Sequence, residues 1–381
     1  MPNRDKQAIG LLVDTSEGVF RQVLLGIAGY RSGRPAWRCE RLEHRPRGGV
    51  AQILAGWRGE GLIVQLLAEA DVDAVRRLGV PVVEVFEWLD WTPAAAYVDS
   101  HAVGRLGAEH LLDLGYERLA YVERAGMALS RRRGEGFTDT AEAAGRGVTT
   151  LRARGVSTGE LVPWLKRLEK PVGVMAGTDR GAFRVIEACR LAGLRVPEDV
   201  AVVGAGNDEV SCAFSTPALT SVELGAQRAG YAAAALLDRL MRGEAMPEQP
   251  VTVPPVRVVA RGSTAAVGGA DAVVTTALSA MREPGGLGVG VDAESLAARA
   301  GVSRRTLERR FEAVLGRSPW EVLQRARVDR AAGLLLETDR PVKSVAAEAG
   351  FTEPRQMGRA FRAVHGVTPA AYRAEHRRWV G

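Results

Sequence analysis

The residues of this 381-residue chain that could carry out recognition chemistry lie near its carboxyl end, in two short clusters. Each cluster combines arginine with a second residue type that bonds base edges. Arginine can bond guanine bidentately, glutamine can bond adenine, and glutamate can accept from cytosine. The clusters are Arg304, Arg305, Glu308 and Arg309, followed by Glu353, Arg355, Gln356 and Arg359. These residue types indicate that double-stranded DNA is the partner of this segment.

Both clusters belong to an internal repeat. LERRFEAVLGRSP (307–319) and MGRAFRAVHGVTP (357–369) share Arg, Phe, Ala, Val, Gly and Pro at a constant offset of fifty residues. Upstream, SLAARAGVS (295–303) matches SVAAEAGFT (344–352) at an offset of forty-nine. One residue has therefore been inserted between the first and second parts of the later copy, and Pro354 is a candidate.

Each copy is predicted to form a short helix, a Gly-containing turn and a second amphipathic helix, which is the order of a helix-turn-helix. Ser303 and Thr352 are the predicted N-caps of the second helices. Both arginine-bearing clusters then fall around the first turns of those helices, which a helix-turn-helix presents to the major groove. The predicted buried stripes are Val302, Leu307, Phe311 and Leu315 in the first copy and Phe351, Met357 and Phe361 in the second.

The surplus of positive charge lies in the same segment. Residues 285–381 carry 17 Arg and Lys against 11 Asp and Glu, which accounts for the whole net charge of +6. A localised positive patch favours a polyanionic partner. A solvated polar face of a helical bundle could explain one such unit. Two basic units in tandem, separated by a long helix over 319–337 with Val328, Ala332 and Leu335 on its buried side, favour DNA binding instead.

The tandem units, ending in GVTPAAYR (366–373), resemble the DNA-binding domain of AraC/XylS-type transcription regulators over about 272–378. The resemblance implies that both second helices enter successive major-groove segments on one face of the duplex. Pro354 falls on one of the family's DNA-facing positions. A proline is tolerated in the first turn of a helix because the backbone N–H groups there have no partner within the helix. The other residues assigned to such positions are Arg305, Glu308, Arg309, Arg355, Gln356 and Arg359.

The first 265 residues follow a different pattern. Continuous apolar β-type runs such as GLIVQLL and VAVVGAG alternate with helical stretches, which is typical of a parallel sheet buried on both faces by helices. The strands number about twice what one small sheet needs, so two α/β lobes sharing a cleft are expected. The predicted helices lie near 19–30, 71–77, 101–114, 133–144, 179–193 and 226–242.

A stretch of small residues, RGSTAAVGGADA (261–272), has no hydrophobic period and is predicted to be an interdomain linker. After this stretch the apolar residues recur with the spacing of an α-helix throughout. The predicted organisation is an α/β two-lobed domain over 1–264, a linker over 265–271, and an all-α tandem helix-turn-helix domain over 272–381 with units at about 293–315 and 342–365.

Loops that follow the strands of the front domain predict a ligand cleft, because ligands bind outside the carboxyl ends of parallel strands. These loops are rich in Asp, Asn, Thr and Arg, which suits a polyhydroxylated ligand, although any one of them could equally be an ordinary capped helix start. The candidate ligand-binding residues are Ser16, Phe20, Arg133, Thr178, Asp179, Asn207 and Asp208.

Residues 7–265 resemble a periplasmic-binding-protein-like sensor of the LacI/GalR type. By position the resemblance implies that Arg133, in RGEGF, contacts a sugar, and that Thr178 and Asp179 form a ligand loop. It also places Asn207 after the position where related sensors carry a sugar-binding aspartate. This chain has Gly206 there, with an aspartate two residues later. A xylose-like sugar is the expected effector, and another sugar, a polyol, a sugar phosphate or a ligand-blind dimerisation domain are the alternatives.

Metal and cofactor chemistry find no support in the sequence. The three cysteines and five histidines show no ligand spacing, and GAGNDE departs from a dinucleotide fingerprint at Glu209. No GxSxG, GxxxxGK[ST] or HExxH motif occurs, so an enzyme is not expected. The three scattered cysteines also argue against a methyl-accepting DNA repair protein. No cofactor, no membrane contact and a cytoplasmic location are expected. The expected assembly is a homodimer, and an activator would also contact RNA polymerase.

Overall fold

The structure is a computed structural model that describes residues 7–32, 37–42, 49–89, 94–265, 271–283 and 285–377. In the first domain its elements run in chain order as β1 Gln7–Leu12, α1 Gly18–Ser32, β2 Trp37–Arg41, α2 Val50–Leu54, β3 Gly61–Val64, α3 Val72–Arg76, β4 Val82–Glu84, β5 Ala94–Val98, α4 Ser100–Asp113, β6 Leu119–Arg124, α5 Ala128–Ala143, β7 Val148–Ala153, α6 Thr158–Arg167, β8 Val172–Ala176, α7 Asp179–Ala192, β9 Val200–Ala205, α8 Glu209–Phe214, β10 Thr220–Glu223, α9 Ala226–Met241, β11 Val251–Val253 and β12 Arg257–Val259.

Two six-stranded sheets divide the first domain into two lobes. The first sheet has the order β11-β5-β4-β3-β1-β2 and the second the order β12-β10-β9-β8-β6-β7. Every pairing is parallel except that of β10 with β12. In the described residues the chain passes between the lobes three times, after β5, after β10 and after β11. The predicted two-lobed α/β fold is confirmed.

The central strands formed where the sequence is continuously apolar. Every residue of β3, β8 and β9 is buried, because helices cover both faces of each sheet. The edge strands β2 and β7, with sequences WRCER and VTTLRA, were not predicted. Most of their side chains are exposed or only half-buried, since an edge strand needs no continuous apolar run, and so their sequences carry a weak signal.

Glycines allow the closest helix packing in both lobes. A Cβ on Gly26 of α1 would lie 1.8 Å from the Gln227 carbonyl oxygen of α9, and one on Gly104 of α4 would lie 1.8 Å from the Arg133 carbonyl oxygen of α5. Gly136 of α5 faces the backbone of α4 in the same way. Because these contacts are backbone against backbone, the helices of each pair cannot shift apart without losing dense packing.

The second domain is all-α, as predicted. No helix within the described ranges has the length and apolar character needed to span a membrane. Of the predicted linker over 265–271, residues 266–270 lie outside the described residues. The helices are α10 Ala272–Arg282, α11 Ala293–Arg299, α12 Arg304–Leu315, α13 Pro319–Glu337, α14 Val342–Glu348, α15 Pro354–His365 and α16 Pro369–Arg377.

Gly26→Ala is expected to destabilise the first lobe by about 1–3 kcal/mol, because the added methyl group overpacks the α1–α9 contact. Gly29→Ala in the same helix is the matched control, since a Cβ there meets nothing within 4 Å. Alanine is the better helix former, so this control should be neutral or more stable by up to about 1 kcal/mol. Urea denaturation followed by circular dichroism measures both, and equal stabilities of the two variants would contradict the packing argument.

Candidate DNA interface and effector cleft

The first helix-turn-helix unit is formed by α11 and α12. Ser303 is the N-cap of α12, and its Oγ accepts a hydrogen bond from the Thr306 amide at 3.2 Å, as the sequence predicts. Leu307 and Phe311 are fully buried, whereas Val302 and Leu315, from the same predicted stripe, are only partly buried. The arginine-bearing first turn of α12 is thereby fixed on a packed helix.

The N-cap predicted for the second unit is wrong. Glu353, not Thr352, is the N-cap of α15, and its side chain makes no capping hydrogen bond. The reason is Pro354 at the first helical position, because a proline forces the preceding residue into an extended conformation. Thr352 Oγ1 instead donates to Gln356 Oε1 at 3.1 Å. The predicted buried residues Phe351, Met357 and Phe361 are each no more than 1% exposed.

The structure also locates the inserted residue. α14 begins forty-nine residues after α11, whereas α15 begins fifty residues after α12. The extra residue therefore lies in the turn of the second helix-turn-helix unit, between α14 and α15. Beyond it the two second helices are in register, so that Arg305 and Arg355, and Arg309 and Arg359, occupy equivalent helical positions.

The side chains of the two clusters lie at the protein surface. Arg304, Arg305, Arg309, Glu353, Arg355 and Arg359 are exposed, and Glu308 and Gln356 are partly exposed. Arg304 Nε bonds Glu308 Oε1 at 2.7 Å along α12. Within the described ranges, no carboxylate lies at ion-pair distance from the two pairs of equivalent arginines. These four guanidinium groups therefore have their charge available to an external anion.

A long helix joins the two units. α13 has 19 residues, and at 1.5 Å rise per residue it is a rod of about 28 Å. Val328, Ala332 and Leu335 of this helix are buried, as predicted, in a core shared with the second unit.

The two lobes of the first domain enclose a cleft. It contains about 1130 Å³ of space, including some open solvent. Of the predicted ligand-binding residues, those that line it are Ser16, Phe20, Arg133, Thr178, Asp179 and Asp208. The structure thus brings together side chains from α1 in the first lobe and from the ends of β8, β9 and α5 in the second.

Asn207 does not line this cleft, although the resemblance implied a place beside the sugar. Its side-chain Oδ1 accepts a hydrogen bond from Arg261 Nη2 at 2.7 Å, and its backbone has a φ of 50°. The preceding Gly206, with a φ of 144°, turns the chain so that Asn207 faces the neighbouring groove while Asp208 returns to the cleft.

Two donors in the cleft wall lack partners. Arg133 is 5% exposed; its Nη1 donates to the Gly177 carbonyl at 2.6 Å, but its Nε is buried with no hydrogen-bond partner among the described residues. Burial lowers the pKa of this guanidinium. The Trp88 indole Nε1 is likewise buried and unpartnered in that part of the chain. Buried donors without acceptors are costly, so a hydroxylated ligand would stabilise both.

Asp179 serves the second lobe as well as the cleft. Its carboxylate accepts from Ser221 Oγ at 2.5 Å and from the Asp208 amide at 3.2 Å. Burial raises the pKa of this carboxyl, and the hydrogen bonds act in the opposite direction. Thr178 caps α7 by accepting from the Gly181 amide. The hydrogen bonds of both residues to other parts of the protein therefore fix the conformation of this loop before any ligand binds.

The aromatic wall of the cleft was not predicted. Phe86 and Trp88 belong to a segment after β4, residues 86–88, which we call the cross-lobe segment. It bonds the second lobe through Leu129 N to Glu87 O at 2.9 Å, Ala128 N to Trp88 O at 3.0 Å and Arg132 Nε to Glu87 Oε1 at 2.9 Å. Phe86 packs on Phe20 with ring centroids 4.8 Å apart. Only the aromatic composition of this loop could have signalled its place in the cleft.

The DNA-binding domain docks on the second lobe at the far end of α4. Asp113 Oδ1 accepts from Arg317 Nη1 at 2.5 Å, and Glu109 lies 3.7 Å from Arg325 of α13. Gly115, just after α4, packs against Val314 near the end of α12. Buried residues of α4, α10, α11 and α12 form one continuous hydrophobic cluster. The helix α4, which packs on α5 and so on the helix that carries Arg133, thus also contacts the first helix-turn-helix unit.

Comparisons with known proteins agree with both sites. A periplasmic binding protein-like domain model matches residues 108–264, and a helix-turn-helix domain model matches residues 296–375. A putative AraC-like transcription regulator of Streptomyces lividans is 39% identical over 105 residues, 27% of this chain and 34% of the relative. The chain combines a periplasmic-binding-protein-like domain with an AraC-type helix-turn-helix domain. The predicted combination is confirmed.

Two relatives with the same combination of domains are similar to this chain over nearly its whole length. The chain is 29% identical to the xylose operon regulatory protein of Escherichia coli strain K12 over 387 residues, which is 97% of each protein. The solved structure of a "xylose-binding transcription activator xylR" matches with a TM-score of 0.60 and 26% identity, covering 98% of this chain and 99% of that one. The lac repressor bound to ONPG, at 22% identity and a TM-score of 0.55, shares the fold of the two-lobed domain and covers 69% of this chain and 86% of its own.

Proposed function

We propose that this protein is a sugar-responsive transcription activator that acts by binding rather than by catalysis. A sugar of the xylose type closes the cleft, and the two helix-turn-helix units read successive major-groove segments of operator DNA in the cytoplasm. The observation that carries the proposal is the presence of four surface arginines on equivalent helices and of two buried donors in the cleft, all without partners among the described residues.

The proposed effector follows from the chemistry of the cleft and from the relatives. Sugars offer hydroxyl oxygens to donors and apolar ring faces to aromatic residues, and the cleft supplies Arg133 and Trp88 Nε1 as donors and Phe20 and Phe86 as apolar walls. Two relatives that match nearly the whole chain are named for xylose. A xylose-like pentose is therefore the first effector to test.

The proposed mechanism is a linkage between cleft closure and the position of the DNA-binding domain. Arg133 lies on α5, α5 is packed backbone to backbone on α4, and the end of α4 bonds Arg317 beside α12. A sugar that binds the closed cleft better than the open one shifts this whole unit, and its differential affinity limits the effect on DNA binding.

The active form is proposed to be a homodimer, which would place two tandem readers on two half-sites. Large apolar side chains are exposed on helices of both lobes: Leu25 on α1 is 53% exposed, and Val210 and Phe214 on α8 are 65% and 85% exposed. Leu25 and Val210 line one groove. Activation implies a further contact with RNA polymerase, which a reporter gene with and without xylose tests directly.

Arg309→Ala and Arg359→Ala are each expected to weaken specific DNA binding by about 1–3 kcal/mol, because both remove a base-reading guanidinium. Arg362→Ala is the matched control: it lies in the last turn of α15, is exposed and removes the same charge. Footprinting and gel shift on the upstream region of the gene, with and without D-xylose, measure the effect. The absence of any salt-sensitive specific complex under either condition would refute the regulator function.

Trp88→Phe is expected to weaken xylose binding by about 1 kcal/mol, because it removes the indole donor and keeps the aromatic wall. DNA affinity without sugar should be unchanged. Isothermal titration calorimetry measures the first and gel shift the second. Unaltered xylose affinity would remove Trp88 Nε1 from the proposed sugar contacts.

Arg317→Asp is expected to preserve xylose affinity while reducing the factor by which xylose changes DNA affinity, because two facing carboxylates loosen the docking of the DNA-binding domain. The double variant Asp113→Arg, Arg317→Asp should restore that factor, since the ion pair is re-formed with its charges exchanged. Titrating DNA with and without saturating xylose gives the factor for all three proteins. A normal factor in Arg317→Asp would exclude this ion pair from the linkage.

A further inference from the structure

A second cavity, with about 580 Å³ of space that includes some open solvent, lies in the second lobe beside the effector cleft. It opens at the carboxyl ends of β6, β7 and β8, and its wall includes Arg124, Arg180, Arg184, Ser130 and Thr178. Arg124, Thr178 and Arg180 also line the effector cleft. The two spaces therefore adjoin each other along these three residues.

The charge of this cavity is uniformly positive. It has three arginines in its wall and no Asp or Glu among its lining residues. No described carboxylate lies within ion-pair distance of Arg124, Arg180 or Arg184. Other arginines of the same lobe are paired, as Arg152 is with Glu123 at 2.8 Å. Arg124 also lies 5.6 Å from the centroid of the Trp88 ring, and Arg180 acts against the burial that raises the pKa of Glu17. All three guanidinium groups line one cavity, where a bound anion would be attracted by each of them.

Neutral donors complete the wall. Ser130 is fully buried; its Oγ accepts from the Arg124 amide at 3.0 Å, which leaves its hydroxyl proton to donate. Thr178 Oγ1 accepts from the Gly181 amide, which likewise leaves the hydroxyl proton of Thr178 to donate. These two residues stand at the starts of α5 and α7, where the amino-terminal helix ends add partial positive charge.

The effector cleft itself has a different character. Glu17 and Asp208 line it at the end near α1 and do not reach the arginine cavity. Arg133 and Trp88, which carry the unpartnered donors, line the effector cleft and not the second cavity. A ligand spanning both spaces would thus place hydroxyl groups in the cleft and an oxyanion among the three arginines.

We propose that the arginine cavity is an anion subsite and that the effector is a monosaccharide bearing an oxyanion group, either a phosphate or a carboxylate. This inference rests on the proposed function, because it adds a charged substituent to a sugar bound in the same cleft. The two sources of the oxyanion share one chemistry, in which guanidinium groups bond the oxygens of the anion bidentately.

Calorimetric titrations of the full-length protein with D-xylose, D-xylose 5-phosphate, D-xylonate and inorganic phosphate test the subsite. At least one of the two anionic sugars is expected to bind ten-fold or more tightly than D-xylose, with an advantage that falls as salt is raised. The anionic sugar that shows the larger advantage identifies phosphate or carboxylate as the group recognised.

Arg184→Gln is the diagnostic variant, because Arg184 lines the arginine cavity and not the effector cleft. It should abolish the advantage of the anionic sugar and leave D-xylose affinity unchanged. Arg190→Gln, exposed in the last turn of the same helix, is the matched control and should behave as wild type.

Equal affinities for neutral and anionic sugars in the wild-type protein, or an unchanged anion advantage in Arg184→Gln, would overturn the subsite and leave the proposed function standing. Binding of inorganic phosphate that depends on Arg184, without binding of any sugar, would support the subsite and refute the sugar effector.

Discussion

The packing of α4 on α5 is the contact on which the rest of the structure depends. Gly104 and Gly136 let the two backbones meet, and a Cβ at either position would lie 2.0 Å or less from a carbonyl oxygen of the other helix. One helix of the pair carries Arg133 into the effector cleft, and the other carries Asp113 to the DNA-binding domain. Because densely packed helices move as a unit, a displacement at one end reaches the other.

Pairing of charges distinguishes the scaffold from the recognition surfaces. Arginines that hold elements together are matched with carboxylates, as in Arg132 with Glu87 across the lobes and Arg317 with Asp113 between the domains. The arginines at equivalent positions of α12 and α15 have no such partners in the described chain, nor do those of the second-lobe cavity. An unpaired charge at the surface costs little in water, but it attracts any polyanion that approaches. The arginines that bridge elements are thus paired and those proposed to bind anions are not, with the exception of Arg304, which bonds Glu308 within the DNA-facing cluster.

The sequence predicted those features that depend on local composition and period. Continuous apolar runs became the buried strands, and the repeat became two helix-turn-helix units whose difference of one residue lies in the turn before Pro354. Features that depend on contacts between distant residues were not predicted. The Asn207 side chain is held by Arg261, fifty-four positions away, and nothing near Asn207 in the sequence announces that bond. The aromatic wall at Phe86 and Trp88 and the arginine cavity likewise arise only when separate loops meet at the ends of the strands.

The cross-lobe segment explains why a small ligand can control so large a structure. Phe86 and Glu87 adopt φ values of 90° and 51°, conformations that cost non-glycine residues about 1–3 kcal/mol each. In this structure two backbone hydrogen bonds, the ion pair of Glu87 with Arg132 and the packing of Phe86 on Phe20 offset that cost. The strain of the segment and its contacts with the second lobe therefore act in opposite directions. Under the proposed function, a sugar would shift the balance between open and closed lobes by as much as its differential binding free energy, which is the condition under which a cleft acts as a sensor.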